Sequence, residues 1–417
     1  MESPHAKESS DVKKVSHINV KALLIICSTA VTLAVILLIH VGRGLFVEYS
    51  LVSGLAIIGW IALPYRSTPV RSQILPLYIL MIVLLIMLNT FRYLSVYSHF
   101  VATTMPEILH HPLVFDHTQW FVWMVSLPIT ILLIGGYFVA KGVSVGAFFV
   151  WWGFGYIAVE SLWQLYIELG HYDLYDHHYF GGVLLAMILF YCSISGILKW
   201  IRPQAQDRQQ QNIQPLSQRK KNLWTILLVT GIAMYGITFY TQTGSLLPVG
   251  VIVGSMMGGL ICWRKTTAYV PADPYKVVPL YLLLQALFYI HVGEEVLTHF
   301  NRGIASITGQ TWTDQDFDYL ITFVGPLFWV FGAYSLWKRQ AFGNFILWFM
   351  IVGMIIGEPT HLLVFPIVRM VQQGVGYEYF SGMYTSLFPM IPAILSLMII
   401  VKDRKQQKQQ QEVIHHE

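Results

Sequence analysis

The sequence is poor in charged residues and in cysteine, and both shortages exclude classes of protein. Only 12% of the 417 residues are Asp, Glu, Lys or Arg, whereas soluble globular proteins carry roughly 25%. The formal net charge is only +4, so no nucleic-acid partner is expected. Cys27, Cys192 and Cys262 lie singly inside apolar runs, which provides neither a disulfide framework nor a paired-cysteine metal site. The composition therefore argues against a soluble enzyme.

Long apolar runs dominate instead. Hydrophobic residues make up 55% of the chain, the mean hydropathy is +0.57, and a membrane-spanning helix needs about 20 mostly apolar residues. We predict an all-α polytopic membrane protein with about twelve transmembrane helices, or ten if the short second and eighth runs do not span. The runs are Ala22–His40, Tyr49–Leu63, Ile74–Tyr93, Trp120–Ala140, Val145–Ile167, Phe180–Trp200, Leu223–Tyr240, Leu246–Trp263, Val277–Leu297, Tyr319–Trp337, Phe342–Val364 and Phe380–Val401.

The basic residues indicate an orientation for these runs. Lys and Arg concentrate in cytoplasmic loops of membrane proteins. Here every second loop is basic, and only Arg43, Arg92, Arg302 and Arg369 fall on the opposite side. We therefore predict that both termini are cytoplasmic, in a bacterial inner membrane or the endoplasmic reticulum membrane.

The chain also reads as a duplication with a period of about 200 residues. Pro76-Leu77-Tyr78 recurs as Pro279-Leu280-Tyr281, and Pro128 matches Pro326. An even number of helices per half predicts two parallel six-helix repeats related by an axis along the membrane normal. The predicted segments are a cytoplasmic tail over 1–21, a first repeat over 22–200, a cytoplasmic linker over 201–222, a second repeat over 223–401 and a poorly ordered cytoplasmic tail over 402–417.

Ionisable residues inside two predicted spans mark a candidate site. His291, Glu294 and Glu295 share one face of the ninth run, and Glu358 and His361 lie at a similar depth in the eleventh. Buried ionisable groups are costly in a bilayer and are functional candidates by default. The predicted catalytic residues are His291, Glu294, Glu295, Glu358, His361 and Asp318, the last at the outer end of the tenth run.

The first half has lost most of this pattern. Phe91-Arg92-Tyr93-Leu94-Ser95 stands where the second half has His291 to Glu295, and Trp163 stands in place of His361. Glu160 still matches Glu358. We predict that the second half is the working copy and that Arg92 and Glu160 form a structural ion pair.

Three interpretations of the second-half residues stay open at this point. The buried acids act as proton donor and acceptor to a membrane lipid or another hydrophobic small molecule, without a cofactor. Alternatively, His291, Glu295, Glu358 and His361 bind a divalent metal, as carboxylates and histidines do in helical bundles. In the third interpretation, the His and Glu side chains pair only to satisfy one another.

The second half resembles a known family. His291 to Glu295, the acid at Asp318, Gly325-Pro326 and Tyr379-Phe380 are similar to the EXPERA superfamily of sterol isomerases and sigma-2 receptor-like proteins. The resemblance implies a lipophilic pocket in which His291 and Glu295 form the proton-transferring pair and Asp318 the second acid.

A second resemblance and two rival functions accompany it. His291-x-x-Glu294-Glu295, with Tyr379, Gly382 and Thr385, resembles the HXXEE membrane proteins. Thr385 is the nearest counterpart of a polar residue that the EXPERA proteins carry in their fourth helix. The rivals are a solute transporter of 6+6 architecture and a metal-dependent membrane lipid oxidoreductase. The oligomeric state is open.

Overall fold

A computed structural model describes residues 20–40, 43–62, 68–94, 121–170, 180–201 and 216–416. Most of the predicted N-terminal tail and residues 202–215 of the predicted linker lie outside these ranges. Every regular element in the described ranges is a helix. The α-helices are α1 (Val20–His40), α2 (Arg43–Ala62), α3 (Thr68–Leu94), α4 (Leu127–Lys141), α5 (Val145–Gly170), α6 (Phe180–Ile201), α7 (Gln218–Thr243), α8 (Leu246–Lys265), α9 (Pro274–Leu297), α10 (Phe300–Thr308), α11 (Asp314–Phe317), α12 (Gly325–Trp337), α13 (Ala341–Val352), α14 (Thr360–Leu363), α15 (Phe365–Gln373) and α16 (Met390–His416). Three π-helical segments, Phe121–Ser126, Asp318–Val324 and Gly353–Gly357, lead into α4, α12 and the turn before α14.

The architecture is that of an integral membrane protein. Among the described residues, 9 helical stretches are long and apolar enough to cross a membrane, and Phe46–Ala62 is a shorter apolar helix. Large apolar side chains such as Leu55, Leu227 and Met234 are exposed on the outer surface, as expected where lipid is the solvent. The prediction of an all-α polytopic membrane protein is therefore confirmed.

The twelfth predicted run differs from the structure at both ends. Residues 381–389 form turns, and α16 begins only at Met390. Gly382 adopts a φ of 81°, which no helix contains, and Pro389 supplies no backbone N–H for a preceding turn. At the other end α16 continues to His416, where a poorly ordered tail was predicted, and Asp403 in this extension pairs with Lys276 at 2.8 Å.

The helices of the two halves pack in the same pairs. In the first half α1 contacts α2, α2 contacts α5, and α4 contacts both α3 and α5. In the second half α7 contacts α8, α8 contacts α13, and α12 contacts both α9 and α13. In each half a π-helical segment precedes the proline, Pro128 or Pro326, that begins the next α-helix.

A matched hydrogen bond fixes the register between the halves. The Tyr78 hydroxyl donates to the Leu132 carbonyl at 3.0 Å, and the Tyr281 hydroxyl donates to the Trp329 carbonyl at 2.8 Å. The spacing that relates these two tyrosines also relates Arg92 to Glu295. This register differs by a few residues from the sequence alignment of the Arg92 segment, because the alignment had no helical contact to anchor it.

The two halves also pack against each other through corresponding helices. α3 contacts α12, and α4 contacts α9. At this second contact the Ser126 hydroxyl donates to the Tyr289 carbonyl at 3.1 Å. Helix α9, which carries the first part of the predicted site, is thus held by both halves.

Candidate functional site

Three local structures bring four of the predicted residues together. α9 carries His291 and Glu295 on one face. The π-helical segment Gly353–Gly357 ends with the Glu358 N–H donating to the Gly353 carbonyl at 3.2 Å, and the short α14 then places His361 one turn later. Such single π turns often occur at functional sites because they redirect a side chain. We call His291, Glu295, Glu358 and His361 the His/Glu cluster.

The side chains of the His/Glu cluster face one another through their polar ends. His291 Nε2 lies 2.8 Å from Glu358 Oε2 and 3.7 Å from Glu295 Oε1. His361 Nε2 lies 3.4 Å from Glu295 Oε1 and 4.0 Å from Glu358 Oε2. All four residues are buried. The sequence prediction that these residues share one depth is in agreement with these distances.

The other ring nitrogen of each histidine is held by the turn before α16. His361 Nδ1 lies 2.8 Å from the Ser381 carbonyl oxygen, and His291 Nδ1 lies 3.2 Å from the Thr385 hydroxyl. Between them, a Cβ on Gly382 would lie 2.6 Å from His361 Nδ1 and 2.8 Å from His291 Cε1. Only glycine combines this close approach with a φ of 81°.

Glu294 points away from the cluster and holds the same turn. Its carboxylate accepts from the Tyr379 hydroxyl at 2.7 Å, from the Tyr384 and Thr385 backbone N–H groups at 3.1 and 2.8 Å, and from the Thr385 hydroxyl at 2.5 Å. Desolvation raises the pKa of Tyr379 to about 12, so at neutral pH its phenol is a hydrogen-bond donor. Glu294 therefore holds the turn that carries Thr385, and Thr385 in turn contacts His291.

The sequence singled out Tyr379, Gly382 and Thr385 as a motif but gave none of them a contact. The structure shows that all three support the His/Glu cluster. The Ser381 carbonyl was missed altogether, because a backbone acceptor leaves no trace in the residue type. Phe300 was also missed, and its ring lies 4.8 Å from the His361 ring, centroid to centroid.

A mostly apolar cavity of about 100 Å³ lies against the His/Glu cluster. Glu295, Glu358 and His361 contribute to its wall. The rest of the wall comes from the second half and is almost entirely apolar or aromatic: Pro248, Val251, Ile252, Ser255, Phe288, Phe300, Trp312, Phe317, Ile321, Trp329, Phe349, Met350, Gly353, Met354, Gly357, Thr360 and Phe365.

Asp318, the sixth predicted site residue, lies elsewhere. Its carboxylate accepts from the Tyr93 hydroxyl of the first half at 3.4 Å, and it is buried. Its neighbours Phe317 and Ile321 line the cavity, whereas Asp318 does not. Its role as a second acid stays a prediction.

The first half has a different arrangement at the equivalent place. Arg92 Nη1 lies 2.8 Å from Glu160 Oε2, and both side chains are 4% exposed. Arg92 also donates to Gln164 Oε1 at 2.7 Å and to Asn89 Oδ1 at 3.2 Å. The predicted contact between Arg92 and Glu160 is present in the structure.

Comparisons with protein-family models, with curated proteins and with solved structures find no match to this chain. The resemblance to the EXPERA superfamily therefore stays a prediction from its motifs.

Proposed function

We propose that the second half binds a hydrophobic molecule of the membrane in the cavity and moves a proton on it through the His/Glu cluster. The proposal is based on the lining of the cavity. Glu295, Glu358 and His361 contribute three ionisable groups to a wall that is otherwise almost entirely apolar. Apolar pockets with a few polar groups are the usual form of small-molecule sites. Ionisable groups buried at such a wall are the usual agents of proton transfer.

A sterol-like or isoprenoid lipid is the substrate class that the EXPERA resemblance implies. The cavity volume of about 100 Å³ is below the roughly 300 Å³ of a typical ligand pocket. Only part of such a molecule enters, and the remainder lies along the apolar outer surface. Ile356 and Leu363, which flank the Glu358–His361 turn, are 66% and 61% exposed and offer such a surface.

The reaction that suits this site is migration of a double bond. One acid adds a proton to one carbon of the double bond, and a base removes a proton from a neighbouring carbon. No oxidant or reductant is needed, since electrons are only redistributed within the molecule. The cluster holds two acid–imidazole contacts, Glu358 with His291 and Glu295 with His361, which supply one donor and one acceptor.

We also propose the finer architecture, two parallel six-helix repeats with both termini in the cytoplasm. The matched helix pairs and the matched tyrosine hydrogen bonds support the duplication. The basic loops support the orientation.

The position of the cavity favours this proposal over a transporter. Transporters built from repeats bind their substrate between the repeats, near the membrane midplane. Here every residue lining the cavity belongs to the second half.

The test uses purified full-length protein in D₂O with a sterol that has a double bond in its ring system. We expect the double bond to migrate and one deuterium to enter the product, detected by mass spectrometry and NMR. A photoreactive sterol should crosslink to peptides of α8 and α13. Glu295→Gln and Glu358→Gln should abolish deuterium incorporation, because Gln keeps the shape but exchanges no proton. Absence of both crosslinking and deuterium incorporation in the parent protein would refute the proposal.

A further inference from the structure

Hydrogen bonding fixes where the protons of the two cluster histidines are. The Ser381 carbonyl only accepts, so His361 Nδ1 must carry a hydrogen. The Thr385 hydroxyl gives its one hydrogen to Glu294 and accepts at its remaining lone pairs. His291 Nδ1 must therefore carry a hydrogen as well.

As a result, the neutral rings turn unprotonated Nε2 atoms toward two carboxylates. The Glu358 Oε2 atom lies 2.8 Å from His291 Nε2, and the Glu358 side chain is buried. With neutral rings, the two Nε2 atoms and the oxygens of the two carboxylates would all be hydrogen-bond acceptors that face one another in a buried place. Such a group needs a positive charge among its atoms, either a proton or a metal ion, because buried carboxylates without a counter-charge are costly.

The first half shows what fills the equivalent place there. Arg92, which corresponds to Glu295, brings its guanidinium to 2.8 Å from Glu160, the counterpart of Glu358. The first half therefore carries its own cation. The second half has a carboxylate, Glu295, in place of this cation and has retained the acid, Glu358.

We infer that the His/Glu cluster binds a divalent first-row transition-metal ion of the zinc, iron or manganese class. Two imidazoles and two carboxylates form a donor set suited to these ions. Metal–ligand distances of about 2.0–2.2 Å place the ligand atoms of one ion roughly 3–3.5 Å apart. The four Nε2–carboxylate separations, 2.8, 3.4, 3.7 and 4.0 Å, bracket that range. One ligand atom each from His291, Glu295 and His361 all lie within 4.8 Å of one another.

Both histidines also make the hydrogen bonds through Nδ1 that metal-bound histidines usually make. Metal-bound histidines almost always donate their other N–H to a carbonyl, carboxylate or water, which fixes the tautomer. His361 does so directly to Ser381, and His291 does so to Glu294 through Thr385. The inference rests on the proposed function only for the role of the ion, which His291, Glu295, Glu358 and His361 would hold and which would make a bound water more acidic. Binding of the ion itself is inferred independently of the proposed function.

The experiment measures metal content and sterol binding in the same preparations of full-length protein. We expect about one ion per chain by elemental mass spectrometry, or one Zn²⁺, Mn²⁺ or Fe²⁺ rebound after chelation and dialysis. His361→Gln and Glu358→Gln should each lower the bound metal at least tenfold. The matched controls, His299→Asn and Glu378→Gln, alter a half-buried and an exposed residue outside the cluster and should bind metal as the parent does.

Each outcome separates this inference from the proposed function. A parent protein that crosslinks the photoreactive sterol but neither contains nor rebinds any of the three ions overturns the metal site alone. Equal metal content in the parent and in both cluster variants also overturns it. If the variants lose metal and the parent shows neither sterol crosslinking nor deuterium incorporation, the metal site is supported and the proposed function is overturned.

Discussion

In the first half a buried acid faces an arginine, whereas in the second half the corresponding acid faces two imidazoles and a further acid. Arg92 contacts Glu160 at 2.8 Å, and its guanidinium is always charged. Glu358 contacts His291 at the same 2.8 Å, but imidazole is neutral or charged according to its surroundings. The acid of the first half therefore faces a permanent cation, and the acid of the second half faces an imidazole that can gain or lose a proton.

This difference is the basis for our proposal that the two halves have different tasks. The Arg92 guanidinium keeps its charge in proteins, so its pairing with Glu160 suits a structural role. The His/Glu cluster has groups that accept protons or a cation, and it adjoins a cavity. The following predictions test this division, beginning with the largest expected effect.

Breaking the first-half pair should cost the most stability. Arg92→Leu leaves Glu160 buried without its cation, and we expect a loss of roughly 3–5 kcal/mol in the free energy of unfolding. Arg92→Leu combined with Glu160→Leu should be less destabilised than Arg92→Leu alone. Denaturant titration of the detergent-solubilised protein measures both, and additive losses would show that the two residues are energetically independent.

Gly382 should be the next most sensitive position. In Gly382→Ala the new Cβ meets both cluster histidines within 2.8 Å and requires an alanine at a φ of 81°. We expect a loss of about 1–3 kcal/mol and at least tenfold slower deuterium incorporation. Gly376→Ala is the matched control, because nothing lies within 4 Å of a Cβ there. Equal behaviour of the two variants would contradict the close approach.

Thr385 should affect the cluster without affecting the fold. Thr385→Val removes the hydroxyl that joins His291 to Glu294, and loss of such a second contact typically lowers metal affinity about 10–100-fold. Thr385→Ser keeps the hydroxyl and should restore affinity, measured by zinc titration against a chelator. If serine rescues no better than valine, the hydroxyl does not position His291.

The predicted orientation in the membrane can be tested with cysteine substitutions that should leave function unchanged. In a protein whose three native cysteines are replaced by alanine, a cysteine at Ser306 should react with an impermeant maleimide added outside intact cells. A cysteine at Ser217 should react only after the cells are opened. The reverse pattern would overturn the cytoplasmic placement of both termini.

Hydropathy and charge predicted much of this molecule but not the turns that assemble the site. The contact between Arg92 and Glu160 followed from depth along two helices. The π-helical segment before Glu358 has the same apolar composition as an ordinary helix, so the sequence could not reveal how it turns that side chain. The direction of Glu294 depends on backbone N–H groups at Tyr384 and Thr385, within a stretch that hydropathy assigned to a helix.

The most direct test of the division between the halves compares Glu358→Gln with Glu160→Gln, the same change at equivalent positions. Thermal unfolding is measured on each variant after chelation has removed any bound metal, and deuterium incorporation into the sterol is measured before chelation. We predict that Glu358→Gln loses deuterium incorporation and melts within about 2 °C of the parent, a shift of less than 1 kcal/mol. Glu160→Gln should melt at a lower temperature and keep its deuterium incorporation. Retained incorporation in Glu358→Gln, or its loss in a stably folded Glu160→Gln, would contradict the account.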